Sequence, residues 1–328
     1  MMRNFTSGRF SLGKTNLTLP AILIVGYIIL AADSGGTLLS KEALRGVLAY
    51  LAVPVIIGLA QMVVLAIGQM NLAIGAMGGA TCALMATLMA DHRIPVALAL
   101  AIGLIFATLL GAINGILVVL TRLNGFIITL GTMTILLGVQ YRLVRSFTVD
   151  KYSISLQEFG QRNVSGVPYL FIIAIAVAAV LSLYFTKTAS GRNLLATGGN
   201  AVAARLSGIS NNRSVIQAHL ISGILVGVAS CLSIASLSGI NRSIGGDWLL
   251  PSFAAPIIGG VLLSGGTVAI FGTVMAAGVV RLVDVARAQY SLDPSWVNFV
   301  LGIIVLSTVA LSEWRKRRAE VSRITVRA

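Results

Sequence analysis

Ile94-Pro95-Val96-Ala97-Leu98-Ala99-Leu100-Ala101-Ile102-Gly103-Leu104-Ile105-Phe106-Ala107-Thr108-Leu109-Leu110-Gly111-Ala112-Ile113-Asn114-Gly115-Ile116-Leu117-Val118-Val119-Leu120-Thr121 is a run of 28 residues without a charge. A helix rises 1.5 Å per residue, so about 20 apolar residues cross the roughly 30 Å hydrocarbon core of a bilayer. This run is long enough to span. Nine more apolar runs flank it, at 17–32, 46–67, 72–90, 126–144, 168–186, 215–237, 249–263, 268–286 and 296–314. The 328-residue chain is 57% hydrophobic and only 10% charged, where soluble domains carry about 25% charged residues. So little charge could not cover the surface of soluble domains of this total length. The expected fold is all-α, a polytopic transmembrane helical bundle of about ten spans.

Two boundaries stay open. The run 249–286 reads as one re-entrant pair or as two spans, and the turn-forming Ser264-Gly265-Gly266-Thr267 favours two. The first run has a basic leader and ends in Ala31-Ala32, so a cleaved leader, leaving nine spans, is its second reading. Small-xxx-small pairs at Gly75/Gly79, Gly111/Gly115 and Gly223/Gly227 predict close helix contacts. Cys82 and Cys231 lie inside apolar runs and read as packing residues rather than a disulfide.

Basic residues set the orientation. With the N-terminus inside, ten spans also place the C-terminus inside. Fourteen of the 24 basic residues then flank the inner side with only two acids, Glu313 and Glu320. The net charge of +14 is thus a topology signal for a chain facing membrane lipid, and no nucleic-acid partner is expected. The division is a basic cytoplasmic tail (1–16), a transmembrane domain (17–314) with an outer loop (145–167) and an inner loop (187–214), and a second basic tail (315–328).

Gly8-Arg9-Phe10-Ser11-Leu12-Gly13-Lys14-Thr15 matches the phosphate-loop pattern G-x-x-x-x-G-K-[ST]. That loop needs a strand before it and a helix after it, so that backbone N–H groups converge on phosphates. Only seven residues precede Gly8 and a span begins at Leu17, so the match reads as chance.

Ionisable residues at membrane depth are scarce. Arg281 and Asp284, at i and i+3, neutralise each other, and His219 reads as a structural partner within the bundle. The other deep polar groups are mostly amides, Gln61, Asn71, Asn114, Gln140, Gln217 and Asn298. The candidates for a translocation pathway are Gln61, Asn71, Asn114, Gln140, His219 and Asn298. Amides and small residues suit a neutral polyhydroxyl solute, and ordinary interhelical hydrogen bonding leaves the same residues. No paired carboxylates, zinc-type histidine clusters or nucleophile–base pairs stand out, so no catalytic residue, metal or cofactor is expected. An intramembrane enzyme is disfavoured, and so is a secondary transporter, which usually needs an acidic coupling-ion site.

The inner loop contains Gly191-Arg192-Asn193-Leu194-Leu195-Ala196-Thr197-Gly198-Gly199-Asn200-Ala201-Val202-Ala203-Ala204-Arg205-Leu206-Ser207-Gly208-Ile209. Residues 201–206 are helix-competent, Asn200 suits an N-cap, and the segment reads either as a docking helix or as a solvated connector. Its wording resembles the cytoplasmic loop of ribose-type sugar permeases of ABC importers, G-R-x-x-x-A-x-G-G-N-x-x-A-A-x-x-S-G-I. Asn114-Gly115-Ile116-Leu117-Val118 with Phe126-Ile127-Ile128-Thr129-Leu130-Gly131-Thr132-Met133, and Ala254-Ala255-Pro256-Ile257-Ile258-Gly259-Gly260 with Ser264-Gly265-Gly266 and Phe271-Gly272-Thr273, are similar to other motifs of that family. Gln69-Met70-Asn71-Leu72-Ala73-Ile74-Gly75-Ala76 resembles its G-x-D-L-S-V-G-A segment but places Gln69 and Asn71 where glycine and aspartate are usual. Trp248-Leu249 replaces the usual E-L, a change expected at the outer vestibule.

The resemblance implies a permease of the bacterial inner membrane, importing a monosaccharide or related polyol. It implies three kinds of partner: cytoplasmic ATPase subunits, a periplasmic substrate-binding protein, and a second permease copy or paralogue. Gly191, Arg192, Gly198, Gly199, Asn200, Ala203, Ala204, Arg205, Ser207 and Gly208 would form the ATPase-coupling loop, with Ala203 and Ala204 close in the ATPase groove and Arg205 paired with a carboxylate there. A permease for branched-chain amino acids is the neighbouring alternative.

Overall fold

The structure, a computed structural model, describes residues 17–144, 148–150, 152–293, 295–307 and 310. The phosphate-loop match at 8–15 and both basic tails lie outside them. In chain order the helices are α1 (Thr18–Asp33), α2 (Lys41–Leu65), α3 (Ile74–Ala90), α4 (Val96–Thr121), α5 (Gly125–Leu143), α6 (Ile154–Gln161), α7 (Tyr169–Lys187), α8 (Ala189–Gly199), α9 (Ala201–Leu206), α10 (Asn211–Ser236), α11 (Leu249–Ile258), α12 (Ile270–Gln289) and α13 (Ser295–Ser307). The bundle is helical, with two short antiparallel ladders: β1 (Thr148–Asp150) with β4 (Gly239–Asn241), and β2 (Asn163–Val164) with β3 (Val167–Pro168).

Among the described residues, five helices are long and apolar enough to cross a membrane: α2, α4, α5, α7 and α10. α2 is apolar on every side, and Val55, Ile56, Leu59, Ala60, Met62 and Val63 all have zero exposure, as expected of a central helix. α10, α12, α11 and α7 pack around it. α4 lies along α10, where Gly111 and Gly115 face Gly223 and Ile216 with backbone nearly touching backbone. This close approach is what the small-residue spacing implied. α1 lies on α12, with Gln289 and Tyr290 donating to the Asp33 carboxylate at 3.0 and 2.7 Å.

The eighth apolar run differs from its sequence reading as a full span. α11 has only ten residues, about 15 Å, half the hydrocarbon core. It stops at Gly259-Gly260. Val261 N–H bonds back to the Pro256 carbonyl and Gly260 N–H to that of Ile257, with Gly260 at φ +95°; this double closure terminates a helix. The expected turn follows, with Gly265 and Gly266 at φ +85° and +79°.

α3 also begins partway across. Ser230 on α10 donates to the Gly78 carbonyl at 3.3 Å, and Asn71, just before α3, donates to Ser222 at 3.4 Å. The start of α3 therefore stands beside the middle of the 26-residue α10. The loop after β4 dips to the same level, where Gly245 meets Gly75 and Gly79 backbone to backbone. From this seam α3 runs toward one end of the bundle and α11 toward the other. Trp248 is buried with its ring on Gly78, where an added Cβ would stand 2.7 Å from Cε3. This residue, expected at an outer vestibule, is a packing residue of the seam.

Candidate functional site

Residues 66–73 form an unwound stretch inside the bundle. Backbone removed from water must find partners, and the deep amides provide them. Gln61, with its amide oriented to pair both groups, donates to the Asn71 carbonyl at 3.0 Å and accepts from the Asn71 N–H at 3.3 Å. Asn71 Oδ1 accepts from Ala73 N–H at 2.9 Å, and Thr129 of α5 accepts from Leu72 N–H at 3.0 Å. Gln69 bonds His219 at 3.0 Å. Gln140 does the same work at the seam, donating to the Arg242 and Ile244 carbonyls at 3.0 and 2.9 Å.

Five of the six pathway candidates, Gln61, Asn71, Asn114, Gln140 and His219, are thus buried within the chain, at 0–1% exposure. Asn298, on α13, is exposed and apart from them. Asn114 lies beside Met77, its Nδ2 3.7 Å from the sulfur, and Arg281 pairs with Asp284 at 3.4 Å.

The inner-loop segment folds as two helices meeting at Asn200. Thr188 accepts from Gly191 N–H at 3.0 Å to start α8, a helix the sequence reading did not anticipate. Asn200 ends α8 and caps α9 by accepting from the N–H groups of Val202 and Ala203, both at 3.0 Å. α9 closes on Gly208 at φ +81°, with Ile209 N–H bonded to the Ala204 carbonyl. The bounds of this helix match the helix-competent stretch.

Its faces were not foreseen. Ala204 is 4% exposed and turned inward, while Val202 and Leu206 stand 67% and 85% exposed. The outward surface of α9 therefore presents these two aliphatic residues, spaced i and i+4 around a buried alanine. That spacing was the available signal. Ala203, Arg205 and Ser207 flank them, exposed, and Gly199 and Arg192 are exposed along α8.

The segment is tied to the membrane loops. Thr197 donates to Ser214 at 2.9 Å and Asn211 to the Ala201 carbonyl at 2.8 Å, fixing α8 and α9 on the start of α10. Gly191 is buried at the α7–α8 elbow against Tyr184 and Phe185. Gly198 sits against Ala66 at the end of α2 and Gly266 of the α11–α12 turn.

α5 stands apart from the other long helices. Its mean hydropathy, 1.4, is the lowest of the five, yet only 17% of it is buried. Gly131, Thr134 and Gly138 lie on its exposed surface among Phe126, Ile127, Leu130 and Ile135, and α4 exposes an aliphatic stripe of Ile105, Leu109, Ile113, Ile116 and Leu120.

The chain is 28% identical over 306 residues to the fructose import permease protein FrcC of Rhizobium meliloti, covering 91% of this chain and 85% of the relative. It is 29% identical to the ribose import permease protein RbsC of Haemophilus influenzae (94% and 97% covered) and 29% identical to the D-allose transport system permease protein AlsC of Escherichia coli (88% and 89% covered). No solved structure matches the chain. Residues 43–309 match a family described as the permease component of the branched-chain amino acid transport system, and the chain belongs to that family of membrane permeases.

Proposed function

We propose that this chain is the membrane-spanning subunit of an ATP-binding cassette importer in the bacterial inner membrane, carrying a monosaccharide or related polyol. The observation that carries the coupling role is α9, a short capped helix that turns Val202 and Leu206 away from its own protein. Two exposed aliphatic residues on a helix held by Asn211 to the start of α10 suit a groove on an ATPase subunit. The basic end of the bundle, with α8 and α9, faces the cytoplasm, the side to which the charge pattern of the sequence assigns both tails. A periplasmic binding protein delivers the solute to the opposite end, where α6 and the short ladders lie.

Gly131 and Gly138, small residues exposed on α5, suit close packing against a second permease copy or paralogue, with the solute passage between the two. The buried amides serve that passage indirectly. They hold the unwound residues 66–73 and the dipping loop at 242–248 in place without touching solute. The cargoes named for the relatives, fructose, ribose and allose, favour a sugar over a branched-chain amino acid.

The test is uptake by proteoliposomes holding the permease, its ATPase and its binding protein. We expect radiolabelled sugar to accumulate only with ATP and binding protein together, and leucine not to. Accumulation by the permease alone would make it a secondary transporter, and leucine uptake would move the substrate class.

A further inference from the structure

Arg122 and Arg205 line one cavity of about 960 Å³ at the basic end of the bundle. Neither is paired with a carboxylate among the described residues, as Arg281 is with Asp284. Two guanidinium groups sharing a cavity without a counter-charge repel each other. Arg122 also holds a left-handed backbone, φ 58° and ψ 16°, where it ends α4.

The rest of the lining says what the counter-charge is attached to. Leu120, Leu123 and Val215 give the cavity an apolar wall, and Asn212 adds polar capacity. Leu120 is also the last member of the α4 stripe, 73% exposed, and Ile116, Ile113, Leu109 and Ile105 continue it along the membrane-crossing helix. The stripe has no polar interruption, so in a bilayer it lies against acyl chains. It leads directly to the two arginines. A free phosphate would make no use of this wall, and a zwitterionic headgroup would bring its own ammonium up to two guanidinium groups.

We propose that this cavity is a site for an anionic glycerophospholipid, its phosphate held by Arg122 and Arg205 and one acyl chain laid along α4. Guanidinium groups take phosphate oxygens through paired hydrogen bonds, and basic pockets between helices on the cytoplasmic side suit anionic headgroups. The proposal rests on the reading that the basic end lies at the cytoplasmic headgroups.

The experiment is native mass spectrometry of the delipidated permease–ATPase complex, titrated with dioleoyl phosphatidylglycerol, dioleoyl phosphatidylcholine or inorganic phosphate. The wild type should retain phosphatidylglycerol about tenfold better than phosphatidylcholine. R122Q/R205Q should bring the two lipids to parity, and R122K/R205K should keep part of the preference. An unchanged melting temperature shows that each variant is folded. Equal retention by the wild type, or a preference untouched in R122Q/R205Q, overturns the site. Displacement of phosphatidylglycerol by inorganic phosphate assigns the cavity to a soluble anion instead. Loss of the ATPase from R122Q/R205Q with lipid preference intact assigns the arginines to protein docking. Because lipid retention is read without transport, failure here leaves the importer reading standing.

Discussion

The backbone N–H of Gly266 donates to the carbonyl of Ala66 at 2.8 Å, joining the turn between α11 and α12 to the end of α2. Gly198 of the inner-loop segment sits directly on this bond, and a methyl added there would stand 2.7 Å from the Gly266 nitrogen and press on the Ala66 carbonyl. We expect Gly198→Ala to cost about 1–3 kcal/mol, the usual penalty for forcing atoms into a filled site. Gly46→Ala, which meets nothing within 4 Å, should leave the melting temperature equal or slightly higher. Thermal unfolding in detergent measures both. Equal melting for the two variants would mean that this contact does not hold the segment.

Gln61→Ala would leave the Asn71 N–H and carbonyl without their partner in a dry interior. Each stranded group costs about 1–3 kcal/mol, so this variant should express poorly and melt early. Asn71→Asp keeps an oxygen for Ala73 N–H and should retain uptake within about threefold, whereas Asn71→Leu should leave that N–H unpaired at about 1–3 kcal/mol. Full stability of Gln61→Ala would contradict the clamp.

Val202→Asp and Leu206→Asp each place a carboxylate on the outward face of α9. Both variants should fold as the wild type does while co-purification with the ATPase falls at least about tenfold, as for the loss of an interface anchor. Ala204→Trp should instead fail earlier, by misfolding of the permease, because Ala204 is packed against its own chain. ATPase retention by both aspartate variants would reduce α9 to a connector.

Reporter fusions after Ala32, Thr186 and Arg318 should read outside, inside and inside. An outside C-terminus would overturn the orientation that the basic residues imply.

The apolar runs were legible because membrane burial leaves charge out of whole helices. α2, α4, α5, α7 and α10 fall within a few residues of their sequence limits. The run at 249–263 was overread because hydropathy measures how apolar a segment is and says nothing of whether its backbone stays helical; Gly259 and Gly260 end the helix inside it. α8 was missed because Gly191, Gly198 and Gly199 depress helix propensity, and only packing on α7 and α10 restores it. The amides were read as pathway candidates or as interhelical hydrogen-bonding groups, and the structure turns Gln61, Asn71 and Gln140 toward backbone. An amide in a sequence carries no mark of which partner it serves, since an unwound peptide and a sugar hydroxyl ask for the same donors and acceptors.

The meeting of Gly75, Gly79 and Gly245 bears on how this chain can vary over time. Gly79 also meets the Gln140 side chain, but around Gly75 and Gly245 the neighbours are main-chain atoms, which no substitution elsewhere can make smaller. A side chain gained at one of these positions has no rotamer to escape into and no larger neighbour to trade against, so compensating pairs of mutations are closed off. Drift at the centre of the protein is thereby confined to the residues around the seam, and a permease with a differently shaped midplane has to be reached by rebuilding α3 and the dipping loop together.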